Sequence, residues 1–149
     1  MLGDEYYMGL AIAEAKAAAS EGEIPIGAVV VADGRVVGRG HNQTERLADV
    51  TAHAEMLAIS AAAQTLGGKY LRNCTLYVTV EPCPMCAGAI GWSQLGRIVI
   101  GAPDPKRGYT TLLREGASPF HPKALLATGI REDECRALMR DFFLKKRPK

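Results

Sequence analysis

Nothing in the composition is extreme, and each thing missing excludes a class. The balance of 18 basic against 16 acidic side chains leaves a net charge of only +2, which points to no charged partner by itself. No apolar run approaches the ~18 residues of a membrane span, so no membrane segment is expected. The first residues, Met1-Leu2-Gly3-Asp4-Glu5, are acidic and lack the basic and apolar regions of a signal peptide. Four cysteines, two of them in one C-x-x-C spacing that suits ligands, fit a reducing compartment better than a disulfide scaffold, so a cytoplasmic location is expected. No internal repeat or linker is visible, and 149 residues support one sizeable core and not two. A single domain over 1–149 is the expectation.

Against this plain background two short motifs stand out. They are Thr51-Ala52-His53-Ala54-Glu55 and Glu81-Pro82-Cys83-Pro84-Met85-Cys86. Together they supply one imidazole, two thiols and one carboxylate. Three such ligands leave one corner of a tetrahedral zinc open, as a catalytic site requires. The carboxylate two residues beyond the histidine can move protons for whatever occupies that corner. The spacing is similar to the H-x-E…P-C-x-x-C signature of zinc-dependent nucleobase deaminases. One zinc per chain, held by His53, Cys83 and Cys86 with Glu55 free, is the expected arrangement. Two other readings stay open. A closed structural site needs a fourth protein ligand: Cys74 is too far along the chain, whereas spacing alone does not exclude His41, His121 or Cys135. A disulfide between Cys83 and Cys86 is the other.

Periodicity places these motifs on elements. Glu5 to Ser20 is rich in Ala with Leu, Ile and Met and reads as a helix ended by Gly22 and Pro25. Ile26–Val31 and Val36–Arg39 are strands, and Asp33-Gly34 between them is a hairpin signal. Asn42 to Val50 is polar and reads as a loop. Helix, strand and helix follow over 53–66, 75–80 and 83–93, with Pro84 in a first helical turn where its missing N–H costs nothing. Cys83 and Cys86 are three apart and share a face, and the helix dipole there favours thiolates. His53 and Glu55 are two apart and would share a pocket only in the irregular first turn. Arg97–Ile100 is a short strand. Lys106 to His121 reads as a long loop with one short helix. Lys123–Thr128 is a strand or a helix start, and Arg131–Lys146 is a terminal helix. Alternating strands and helices imply an α/β sandwich with parallel strands after the hairpin.

The motifs and their flanks resemble those of the bacterial tRNA-specific adenosine deaminases, within the cytidine/deoxycytidylate deaminase superfamily. The resemblance rests on Thr51 to Glu55, on Leu76 to Ala89, and on Gly101-Ala102-Pro103-Asp104-Pro105-Lys106-Arg107-Gly108. Glu23-Ile24-Pro25-Ile26-Gly27-Ala28-Val29 and Asp141-Phe142-Phe143 extend it over nearly the whole chain. It implies a three-layer α/β/α sandwich of the cytidine deaminase type, with a mixed five-stranded sheet and an N-terminal β-hairpin. It implies zinc on His53, Cys83 and Cys86, and Glu55 as proton shuttle. Asn42 would hydrogen-bond the target nucleoside, Ile26 would pack on its base, and Ala54 would also belong to the substrate site. Asp104 and Lys106 would meet flanking nucleotides, and Phe142, Phe143 and Arg147 would line a groove for a splayed tRNA anticodon loop. A homodimer is implied too, and Ala87-Gly88-Ala89-Ile90-Gly91-Trp92 offers small residues around one large aromatic for close helix approach.

The chemistry follows from the residue types. An aromatic amine leaves only after a nucleophile adds to its ring carbon, and zinc lowers the pKa of water towards 7 to supply one. Glu55 would take the water proton, protonate the ring nitrogen and then the departing amine. The expected reaction is deamination of the wobble adenosine to inosine, an unpaired loop base being cheaper to extrude than a duplex one. Phe142, Phe143, Lys145, Lys146, Arg147 and Lys149 combine aromatic and cationic groups as single-stranded RNA requires. The alternatives are a deaminase of a free base or nucleoside such as cytosine or guanine, and a zinc-stabilised RNA-binding module without activity.

Overall fold

The computed structural model describes residues 2–146. The elements run α1 (Asp4–Ser20), β1 (Gly27–Ala32), β2 (Arg35–His41), α2 (Ala54–Leu66), β3 (Cys74–Val80), α3 (Pro84–Trp92), β4 (Arg97–Ala102), a 3-10 turn (Tyr109–Leu112), β5 (Leu125–Thr128) and α4 (Glu132–Lys146). The sheet order is β2-β1-β3-β4-β5. β1 is antiparallel to β2 and to β3, whereas β3, β4 and β5 are parallel. The sheet is mixed and five-stranded, as expected. The segment left open between strand and helix, 123–128, is a strand, because parallel pairing with β4 satisfies its backbone from Leu125 to Thr128.

Asp33 and Gly34 both take positive φ, 50° and 73°. That is the mirror-image turn whose twist matches a hairpin. Each central strand is buried on both faces, so its sequence reads as a continuous apolar run. Ala28, Val30, Leu76, Val78, Ile98 and Ile100 pack against α2 and α3. Val29, Val31, Tyr77 and Val99 point the other way, towards α1 and α4. The result is three layers, α/β/α.

Glycine brings α2 onto the sheet. A Cβ on Gly38 would collide with the Ala58 carbonyl, and one on Gly40 with that of Ala54 in the first turn of α2. We expect Gly40→Ala to cost about 1–3 kcal/mol, as overpacking does, and to weaken metal retention by lifting the start of α2. Urea unfolding checks this, and a loss under about 0.5 kcal/mol, the range of an ordinary surface change, would contradict it.

Candidate metal centre and substrate groove

Two helix starts meet at one point. His53 is the N-cap of α2, with extended backbone (φ −79°, ψ 155°). Cys83 is the N-cap of α3, also extended (φ −69°, ψ 168°), with Pro84 opening the helix. Both helices therefore begin one residue later than periodicity predicts. That single residue settles the facing problem: His53 lies outside the helix and Glu55 inside its first turn, so helical periodicity does not separate them. The positive ends of both dipoles converge on the sulfurs and favour thiolates.

The ligand atoms of His53, Cys83 and Cys86 all lie within 4.8 Å of one another. His53 Nδ1 stands 3.6 Å from Cys83 Sγ and 3.4 Å from Cys86 Sγ. A tetrahedral zinc with its usual bond lengths of ~2.3 Å to sulfur and ~2.0 Å to nitrogen has an N···S edge of about 3.5 Å. The donor set therefore fits zinc in both type and spacing. Among the described residues no fourth ligand joins the cluster. His41 spends both ring nitrogens on Glu14 and Glu21, each at 3.1 Å. His121 Nδ1 accepts the Lys123 N–H. Cys135 is buried on the other face of the sheet, and Cys74 lies at the far end of β3. Cys83 and Cys86 are free thiols.

The cluster competes for protons. The Cys86 thiol donating to Cys83, with His53 and the Cys86 N–H helping, holds the Cys83 thiol down at about 4. Cys86 is pushed up by sharing that proton and by burial. Hydrogen bonding to Cys83 raises His53. A divalent cation replaces the shared protons and lets both sulfurs be thiolates. Glu55 is 3% exposed. Burial lifts its carboxyl to about 7, where one group can both accept and return a proton at neutral pH.

This centre forms the floor of an open groove of about 730 Å³. Ile26, Asn42, Ala54, Asp104, Lys106 and Phe143 all line it. Asn42 is 6% exposed, and its Oδ1 accepts the Thr44 N–H. Phe142 does not line the groove. It precedes Phe143 by one residue, about 100° around α4, and adjacent helical residues do not face the same way. Instead Lys146 Nζ sits 5.1 Å from its ring centre. Arg147 lies outside the described residues, as does Lys149.

Sequence reasoning missed most of the α4 wall. Arg136, Met139, Phe143 and Lys146 line the groove at intervals of three and four, a stripe that 3.6-residue periodicity could have predicted from Phe143 alone. It also missed Glu23, a carboxylate only 1% exposed. Its two oxygens accept the N–H groups of Glu45 (3.1 Å) and Arg46 (2.8 Å) and so hold the loop that follows Asn42.

The sequence profile described as "Cytidine and deoxycytidylate deaminase zinc-binding region" matches residues 1–102, which include all three ligands and Glu55. The tRNA-specific adenosine deaminase of Bacillus subtilis is 46% identical over the whole of this chain and 94% of its own length. A solved tRNA:A34 deaminase, studied for A-to-I editing at the wobble position, superposes with a TM-score of 0.80 at 40% identity, covering 89% of this chain and 98% of that one. The guanine deaminase of Nitrosomonas europaea gives 0.79 at 27% identity, covering 95% and 85%.

Proposed function

The chain belongs to the cytidine and deoxycytidylate deaminase family, and from that premise we propose that it hydrolyses the wobble adenosine of a tRNA anticodon loop to inosine. One observation carries the reading. The centre lies in an open groove whose lining includes four cations, Lys106, Arg107, Arg136 and Lys146, and the aromatic Phe143. A free base needs no such lining, whereas a loop of RNA brings phosphates to neutralise and bases to stack.

His53, Cys83 and Cys86 hold the zinc. Bound there, zinc supplies a Lewis acid that makes water acidic near neutral pH. Ile26 and Ala54 pack around the adenine, and Asn42 orients the nucleoside. Glu55 takes a proton from water as its oxygen bonds to C6, and passes that proton to N1. The C6–N6 bond then breaks, with Glu55 delivering the second water proton to the leaving nitrogen. Water and adenosine become ammonia and inosine, with no other reactant. Asp104 and Lys106 meet the flanking nucleotides.

The 149 residues act as one unit, and the cytoplasm is where they meet tRNA. No helix among the described residues is long and apolar enough to cross a membrane. A homodimer completes the reading. The outer face of α3 carries Met85, Gly88, Ala89 and Trp92 without a charge, and Trp92 is 85% exposed. Light scattering at micromolar concentration should give twice the chain mass.

The deciding experiment incubates the protein with tRNA, digests it to nucleosides and seeks inosine. Deamination of free guanine or cytosine with none of tRNA would overturn the substrate. Binding of an anticodon stem-loop should also weaken as salt rises. Lys106→Ala should lower the magnitude of that salt slope by about one, as fluorescence anisotropy across a salt series would read.

A further inference from the structure

Glu81 opens the motif that carries both cysteines, yet it takes no part in the metal cluster. Its carboxylate is committed elsewhere. Oε1 accepts the Asp104 N–H at 3.2 Å. Oε2 accepts the Thr110 N–H at 3.1 Å and the Thr110 hydroxyl at 2.7 Å. One side chain thus ties together the two ends of the segment 104–110. Within it, Asp104 Oδ1 accepts the N–H groups of Lys106 (3.1 Å) and Arg107 (3.0 Å). The Gly108 N–H donates to the Asp104 carbonyl, and the Tyr109 N–H to that of Pro82, two residues before α3 begins. Gly108 has an ordinary φ of −66°, so its backbone does not demand glycine. Its surroundings do, because a Cβ there would run into the Glu81 carboxylate and into the Asp104 carbonyl.

We propose that Glu81 is a positioning residue: it clamps the 104–110 loop so that Lys106 and Arg107 stand over the groove, and thereby sets affinity for the RNA without touching the chemistry. The geometry gives it that reach. Glu81 directly follows β3, two residues before the ligand Cys83, so the loop is referred to the same backbone as the metal centre. Cations on an untethered loop would meet phosphates only part of the time, and the bound state would have to order them. A clamped loop has that ordering cost already met. The inference rests on the tRNA reading above.

Two variants test it. Glu81→Gln keeps the shape but turns an NH2 towards one of the donors that the carboxylate accepts. Gly108→Ala leaves the motif intact and crowds the carboxylate from the other side, together with the Asp104 carbonyl of the same loop. In both, we expect amide exchange at Asp104 and Thr110 to quicken by about tenfold or more, as local opening would produce. Zinc content should stay at one per chain. On an anticodon stem-loop, KM should rise about tenfold, with kcat held within about threefold. Adding Lys106→Ala to Glu81→Gln should raise KM by less than it does in the wild-type background, since the lysine is already misplaced.

Unchanged exchange in both variants would overturn the clamp. Faster exchange with unchanged KM, or full additivity with Lys106→Ala, would overturn the positioning role. Loss of zinc together with a collapse of kcat in both variants would make Glu81 a structural support of the metal centre instead. If wild-type protein leaves the stem-loop unreacted and unbound, the tRNA reading fails and the RNA role proposed for Glu81 fails with it. The exchange data would then show separately whether the clamp itself exists.

Discussion

Glu55→Ala is expected to keep the fold and one zinc per chain while lowering turnover by at least about 10³-fold, the upper part of the range for a positioned acid–base group. The carboxyl stands outside the ligand cluster and is buried beside it. In the proposed mechanism its loss removes the group that moves protons from water to the ring and then to the leaving nitrogen. Metal analysis beside a single-turnover assay reads both halves. Loss of zinc in the variant would show Glu55 to be a ligand and the assignment to be wrong.

The same burial makes Glu55 a cost to the fold. Its carboxyl is raised from 4.5 to about 7, so the folded state disfavours the ionised form. The penalty is absent below pH 4.5, grows as pH rises and is complete above pH 7. Its upper bound is about 3 kcal/mol, from 1.36 kcal/mol per pKa unit. In metal-free protein Glu55→Gln should therefore raise the unfolding midpoint more at pH 8 than at pH 5. A gain that shrinks with rising pH would reverse the sign and refute the burial argument.

Cys86→Ala should have the second large effect. Its side chain is wholly buried, and its sulfur lies 3.4 Å from His53 Nδ1. Without it only two ligands remain, and zinc should fall from one per chain to under about a tenth, with turnover falling in step. The unfolding midpoint should drop as well, because metal bound only to the folded state contributes its binding free energy to stability. Full zinc retention in this variant would sink the three-ligand site.

Much of this was legible in the chain. The buried strands announce themselves as β-branched runs, and Asp33-Gly34 specifies its hairpin because few other residues accept two successive positive φ values. The zinc ligands and Glu55 are readable because their identities and spacings are local, and each pair sits on one helix start. Position 123–128 stayed ambiguous because its strand character comes from pairing with β4 and not from its own pattern.

What only the tertiary structure decided is everything that depends on distant segments meeting. The two N-caps, thirty residues apart, are brought together by the parallel crossover from β3 and by the glycines that let α2 sit low on β2. The stripe on α4 becomes one wall of the groove because that helix packs beside β4 and β3. Phe143 faces the groove and Phe142 does not, a matter of one residue's rotation that no motif carries. Glu23 and Glu81 each hold a loop more than twenty residues away by its backbone N–H groups. Those donors belong to whichever residues occupy the place, so they leave no mark on residue type. Side-chain chemistry is written in the sequence letter by letter, whereas backbone hydrogen bonds and close approaches arise only when the chain has folded.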